Sequence, residues 1–175
     1  DGAGFRINYD ALFAPASMLK LPVVVWAFLL EAQHPGTLLE KVPYSPERVQ
    51  HFDIPAQIEV SDAGLVVGES YTVEELMRAT IAHSDNLAYF SLLAHLNDSP
   101  KRNAHLLRTF RELGIQDPKD NHDPAASVRE YAALLRALYN ATYLDAESSE
   151  KLLSWLSTSS YDKGIAAGTP KGIDV

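Results

Sequence analysis

The longest uninterrupted apolar stretch of the chain, residues 21–30, constrains the fold more than any other feature. None of its ten side chains is charged, and the apolar positions would surround a helix on all sides. Such a helix is stable only where neighbouring elements cover it completely. We therefore predict a core helix over residues 17–33 that ends at the His-Pro-Gly sequence beginning at residue 34. Pro22, near the sixth position, removes one backbone hydrogen bond, so we expect a local bend.

The composition excludes several other classes of protein. With 175 residues, 46% of them hydrophobic, the chain is long enough for one domain with its own core. A cysteine count of zero excludes disulfides and thiolate chemistry. A net charge of −8 without any run of Lys or Arg argues against a nucleic-acid surface. No targeting segment is visible, and no membrane span is predicted, because a span needs roughly 20 apolar residues.

Helix signals recur after residue 71, whereas strand signals are few. Capping boxes at Thr72–Glu75 and Ser127–Glu130 each open a predicted helix. Five helices are predicted in this part of the chain, over residues 72–82, 86–96, 100–114, 127–140 and 145–156. Short strand patterns occur at residues 4–9 and 57–60, and residues 36–71 otherwise resemble loops. The visible part is therefore mainly helical.

Ser17 and Lys20 form a Ser-x-x-Lys pair at the start of the apolar helix. Three residues apart on a helix, the lysine amine can reach the serine hydroxyl. A lysine activates a serine when desolvation lowers the lysine pKa toward neutrality, and the helix N-terminus would stabilise an oxyanion forming beside Ser17. The same pattern also occurs at Ser148/Lys151 and Ser160/Lys163, so it is weak by itself. Of the three lysines, only Lys20 is followed directly by a long apolar run, where a charged amine is costly.

The tripeptide Ser84-Asp85-Asn86 lies at the break between two predicted helices. Ser84 could pass a proton between a leaving nitrogen and a lysine, and the Asn86 amide could hold both a substrate carbonyl and Lys20. Alternatively, Ser84 or Asp85 only caps the following helix. Capping and catalysis can share these residues.

Ser-x-x-Lys followed by Ser-Asp-Asn resembles the penicillin-recognising serine enzymes, and class A β-lactamases in particular. The flanking sequences are also similar, because Phe13 to Ser17 looks like the lead-in to the family's nucleophile helix. Residues 36–70 and 114–126 match only loosely. The resemblance implies an α/β (α+β) fold of the β-lactamase and transpeptidase type, of which this chain holds mainly the helical part with few strands. It also implies that residues 1–175 form a single catalytic domain that is truncated before a third motif.

The resemblance implies roles for five residues. Ser17 would be the acylated nucleophile, Lys20 its proton acceptor, and Ser84 a proton relay. Asn86 would bind substrate and anchor the lysine, and Asp85 would be structural. The partner would be a small-molecule β-lactam or a D-alanyl peptide, with no metal and no cofactor. An extracytoplasmic location, periplasmic or at the bacterial cell surface, also follows from the resemblance, whereas the oligomeric state does not.

Two departures from the family pattern shape the functional expectation. The third motif, Lys-Thr-Gly, does not occur, so the 175 residues alone are expected to be inactive. A Glu-x-x-Leu-Asn loop is also missing between Gly114 and Glu130, although Asp117, Asp120 and Asp123 lie there. Turn formation beside prolines explains Asp117 and Asp123.

Without a positioned base, deacylation should be slow. The leading hypothesis is a β-lactamase-like serine hydrolase that β-lactams acylate at Ser17. The alternatives are a D,D-peptidase or transpeptidase that acts on peptidoglycan D-Ala-D-Ala, and an inactive relative that serves as a binding or structural module. Histidine–aspartate pairs at residues 51–53 and 122–123 are interpreted as loop polar groups rather than metal ligands.

Overall fold

The computed structural model describes residues 6–50, 52, 62–115, 125–158 and 168–170. Within these residues the chain is mainly helical. The α-helices are α1 (Lys20–Gln33), α2 (Val73–Ala82), α3 (Asn86–Leu96), α4 (Pro100–Glu112), α5 (Val128–Tyr139) and α6 (Ala146–Ser157). The strands are β1 (Leu12–Phe13), β2 (Lys41–Pro43), β3 (Ser70–Thr72) and β4 (Ala126–Ser127).

Helix α1 is the centre of the core, as its apolar sequence predicts. The five residues from Val23 to Ala27 have no solvent exposure, and the helix packs against α2, α3 and α4. Phe28 stacks on Trp155 of α6 with ring centroids 5.9 Å apart, which joins a further helix to this core. Trp26, Phe28 and Trp155 are all part of this core.

The start of α1 differs from the prediction. A 3-10 turn, Ala16–Leu19, precedes the α-helix, which begins only at Lys20. Pro22 is consequently in the first turn of α1 rather than near a sixth position. Because the first N–H groups of an α-helix have no intrahelical acceptor, the proline there removes no helical hydrogen bond.

The segment Ala16–Gln33 is long and apolar enough to cross a membrane by length and composition, with a mean hydropathy of 1.3. The core helix of a globular protein passes the same test. Here 56% of the segment is buried inside the fold. This burial agrees with the predicted core helix.

The helix boundaries after residue 71 follow their sequence signals. Both predicted capping boxes are formed, with Thr72 and Ser127 accepting hydrogen bonds from the backbone of Glu75 and Glu130. Helix α4 ends two residues before Gly114, which has a φ of +79°. A Cβ at this glycine would lie 2.7 Å from the side chain of Glu130, so the turn after α4 approaches the start of α5 closely there.

The strands were predicted less well. Antiparallel pairing joins β1 to β4 and β2 to β3, in two separate two-stranded sheets. Residues 7–9 of the predicted first strand are bends and turns, and the strand lies at Leu12–Phe13 instead. The predicted strand at 57–60 lies outside the described residues. The β2–β3 pair lies almost entirely within a segment predicted as loops. The pattern did not reveal these strands, because strands of three residues are too short to show a clear alternation.

Candidate active site

Ser17 lies in the 3-10 turn directly before α1, with an exposed side chain. In a 3-10 helix, side chains three residues apart are aligned along the axis. This turn therefore directs Ser17 and Lys20 to the same side, and Lys20 Nζ lies 3.4 Å from Ser17 Oγ. Ala16, just before the serine, has a φ of +46°, which is unusual for a residue other than glycine.

The Ser84-Asp85-Asn86 turn joins α2 to α3. Ser84 has a left-handed backbone with a φ of +53°, so its hydroxyl and its carbonyl oxygen both reach Lys20. Asp85 caps α3, because its Oδ1 accepts a 2.7 Å hydrogen bond from the backbone N–H of Ala88. The side chains of Ser84 and Asn86 are exposed, whereas Asp85 is buried. The same turn thus caps α3 and presents the side chains of Ser84 and Asn86 to Lys20.

Lys20 brings the two motifs together, although they lie more than 60 residues apart in the chain. Its Nζ lies 2.5 Å from the carbonyl oxygen of Ser84, 2.9 Å from Ser84 Oγ and 2.7 Å from Asn86 Oδ1. With Ser17 Oγ, these make four oxygen acceptors around one amine. The residue is only 5% exposed, so its charge depends on these contacts.

The protonation state of Lys20 decides what this arrangement can do. Burial lowers its pKa from 10.5 to about 8, although the negative charge of Asp85 opposes the shift. A neutral amine has two N–H donors and one lone pair. The Ser84 carbonyl and Asn86 Oδ1 can only accept, so they take both N–H groups. The lone pair is then left facing the hydroxyls of Ser84 and Ser17, where it can accept a proton.

The structure separates Ser17/Lys20 from the second Ser-x-x-Lys pair. Ser148 Oγ donates to Asp145 Oδ2 at 3.1 Å, and Lys151 Nζ bonds Glu74 Oε1 at 2.9 Å. That pair supports the start of α6 and its contact with α2. The third pair, both histidine–aspartate pairs and the aspartates at 117, 120 and 123 lie outside the described residues.

Two tyrosines near the site were not predicted. Tyr44 OH donates to Asp85 Oδ2 at 2.8 Å, and Tyr131 OH lies 3.4 Å from the carbonyl oxygen of Met18. Tyr44 follows β2 and Tyr131 is in α5, far from the motifs in sequence. Only the tertiary fold brings these tyrosines to the site. The sequence around each of them therefore carries no pattern that could have indicated this position.

The fold belongs to the β-lactamase and penicillin-binding class, as the resemblance predicted. The chain is similar to the solved structure of PBP-A, with 23% identity and a TM-score of 0.71 over 94% of this chain and 61% of that one. It is also similar to a β-lactamase from Sphaerobacter thermophilus, with 22% identity and a TM-score of 0.75 over 98% and 64% of the two chains. A third similar structure is a β-lactamase from Desulfarculus baarsii, with 28% identity and a TM-score of 0.70 over 95% of this chain and 63% of that one.

A family model described as the beta-lactamase enzyme family matches residues 1–175. The chain belongs to this family. It spans 61% to 64% of the length of the three solved proteins. A comparison with curated protein sequences found no match.

Proposed function

We propose that this chain carries the nucleophile half of a serine acyl-transfer site that β-lactams acylate at Ser17. The observation that supports this most is the contact of buried Lys20 with both motifs. A lysine with a pKa of about 8 is neutral often enough at pH 7 to act as a base. The exposed Ser17 hydroxyl lies beside it, where a substrate can approach.

In the proposed reaction, neutral Lys20 accepts the proton of Ser17 Oγ while that oxygen attacks the β-lactam carbonyl carbon. The carbon–nitrogen bond of the ring then breaks, and the ring nitrogen takes a proton from the Ser84 hydroxyl. The Lys20 ammonium donates its proton back to Ser84, 2.9 Å away. The products are a serine ester and a neutral lysine, so protons and charge balance. Asn86 would bind a substrate carbonyl as well as Lys20. Asp85 would have a structural role, since it caps α3 and so holds the turn that carries Ser84 and Asn86.

Hydrolysis of the ester needs an activated water. No Glu-x-x-Leu-Asn sequence occurs in the chain, and we propose that deacylation is slow. A D,D-peptidase or transpeptidase that acts on D-Ala-D-Ala peptides is the second candidate, and the missing Glu-x-x-Leu-Asn sequence favours it. The structure of a PBP-A mutant is described as an acyl-enzyme complex with penicillin G. Either function fits an extracytoplasmic location, which we also propose. We further propose that residues 1–175 belong to a single catalytic domain.

The test is incubation of the full-length gene product with a fluorescent penicillin, followed by intact mass and peptide mapping. We expect one adduct, on Ser17. Absence of an adduct at millimolar penicillin would contradict the proposal and leave an inactive binding relative. Burst kinetics with nitrocefin test the proposed slow deacylation, because slow deacylation gives a stoichiometric plateau whereas an efficient β-lactamase continues to turn over.

A further inference from the structure

A buried hydrogen bond lies behind the Ser84 turn, on the side away from solvent. Tyr44 is fully buried and Asp85 is 1% exposed, and the Tyr44 hydroxyl donates to Asp85 Oδ2 at 2.8 Å. We propose that Tyr44 is a positioning residue, which through Asp85 holds Ser84 against Lys20. The inference rests on the proposed function, because it assigns Tyr44 a part in the same acyl transfer.

Tyr44 is itself held firmly. Its backbone N–H donates to the carbonyl oxygen of Glu69 at 2.8 Å, and its own carbonyl oxygen accepts from Gly68 N–H at 2.9 Å. These bonds continue the antiparallel pairing of β2 with β3. The Tyr44 ring also meets the ring of Tyr71 edge to face, with centroids 6.0 Å apart. The small β2–β3 sheet therefore fixes the phenol at one place behind the turn.

Asp85 transmits this position to the turn by three bonds. Its backbone N–H donates to the carbonyl oxygen of Ala79 at 3.2 Å, its Oδ1 caps α3 at Ala88, and its Oδ2 accepts from Tyr44. The carboxylate cannot rotate without losing one of the last two bonds. The adjacent Ser84 has the left-handed backbone that turns its carbonyl oxygen toward Lys20, and such a conformation persists only where its surroundings fix it.

The bond from Tyr44 is more than helix capping requires. An N-cap needs one carboxylate oxygen, which Oδ1 already supplies. Burial, reinforced by the bond to Asp85, raises the pKa of Tyr44, so its hydroxyl stays a donor at all pH values of interest. A purely structural bond would affect stability alone. A positioning bond would also change the state of Lys20.

The test is Tyr44→Phe in the full-length protein, with Tyr143→Phe as the matched control. Tyr143 OH makes a bond of the same type, 2.6 Å to Glu112 Oε2 on α4. We expect Y44F to lower the second-order rate constant of acylation by fluorescent penicillin about tenfold, because a displaced Ser84 no longer orients the amine. Y143F should acylate at the wild-type rate.

A second readout does not need a β-lactam. The Lys20 titration can be followed by NMR of 13C-labelled lysine, with the signal assigned by its loss in Lys20→Met. In Y44F the midpoint should fall below the wild-type value, because the ammonium loses acceptors on Ser84. Y143F should leave it unchanged. Wild-type acylation and a wild-type midpoint in Y44F, even with a lower melting temperature, would overturn the inference.

The two proposals fail in distinguishable ways. If the wild type forms no acyl-enzyme, the proposed function fails, and the Lys20 titration still decides whether Tyr44 positions the turn. If Y44F does not fold, Tyr71→Leu replaces it, because Y71L removes the ring contact with Tyr44 and leaves Asp85 unchanged. Y71L should change acylation and the Lys20 midpoint in the same direction by a smaller amount, and wild-type values there would also overturn the inference.

Discussion

Two Ser-x-x-Lys pairs in this chain have the same spacing but entirely different surroundings. Lys20 is 5% exposed and meets Ser17, Ser84 and Asn86. The side chain of Lys151 is 35% exposed, and its amine pairs with a carboxylate on α2. The Ser-x-x-Lys spacing therefore only brings the two side chains within reach of each other. Burial and contacts from a distant turn distinguish Lys20 from Lys151.

The largest expected difference between the pairs is in the serines. Ser17→Ala should abolish covalent labelling by fluorescent penicillin, because no other atom replaces Oγ as the nucleophile. Ser148→Ala should label as the wild type does, because Ser148 only supports the start of α6. Intact mass checks both variants of the full-length protein. Labelling of S17A at the wild-type rate would place the nucleophile elsewhere.

Replacing the two lysines should produce a somewhat smaller difference in acylation rate. Lys20→Met should slow acylation about 10³-fold, which is in the range for loss of a general base. The control is Lys151→Met, for which we expect the wild-type rate. Stopped-flow fluorescence measures both rates. An equal effect of the two substitutions would remove the distinction between the pairs.

Stability should depend on pH through Lys20. Because the pKa falls from 10.5 to about 8 on folding, the unfolded chain binds more protons between these values, and folding becomes more favourable as pH rises through them. Relative to K20M, the wild type should gain about 3 kcal/mol in free energy of unfolding from pH 7 to 11. Urea denaturation at each pH measures the difference. A difference that is flat with pH would mean that Lys20 titrates normally in the folded protein.

The acylation rate should show the same titration. In the proposed mechanism the neutral amine is the reactive form, so the rate should rise about tenfold from pH 7 to 9 and level off above the Lys20 pKa of about 8. In K151M the acylation rate should depend on pH with the same midpoint as in the wild type. Rate constants for fluorescent penicillin across the range provide the check, and a rate that fell with rising pH would exclude a lysine base.

The smallest effect is expected at the ion pair between Lys151 and Glu74, which is only partly buried. Lys151 and Glu74 are each 35% exposed, and ion pairs of this type contribute about 1 kcal/mol or less. Lys151→Met and Glu74→Gln should therefore each lower the free energy of unfolding by no more than about 1 kcal/mol, with little pH dependence near neutrality. A larger loss in thermal denaturation would show that the contact between α2 and α6 depends on this pair.

The sequence predicted helices far better than strands. Capping residues such as Thr72, Ser99 and Asp145 act on the backbone within four residues, so a local pattern is sufficient to place a helix start. Strands β1 and β4 have two residues each, and partners distant in the chain create them. A pattern that short carries no period, so the predicted strand at residues 4–9 was placed too early.

The candidate site divides in the same way. The sequence placed Ser17 and Lys20 within reach of each other, and the apolar residues after Lys20 indicated its burial. The start of the α-helix at residue 20 was missed, because no cap marks the preceding 3-10 turn. Tyr44 was also missed, since its contact with Asp85 spans 41 residues.

By itself, the sequence determined the apolar core helix, the capped helices around it and the two motifs that indicated the family. These features depend on residues close together in the chain. Only the tertiary structure decided that Lys20 meets Ser84 and Asn86, and that a phenol behind the turn contacts Asp85. The physical reason is that the pKa of a buried amine depends on desolvation and on neighbouring groups, which packing brings from distant parts of the chain.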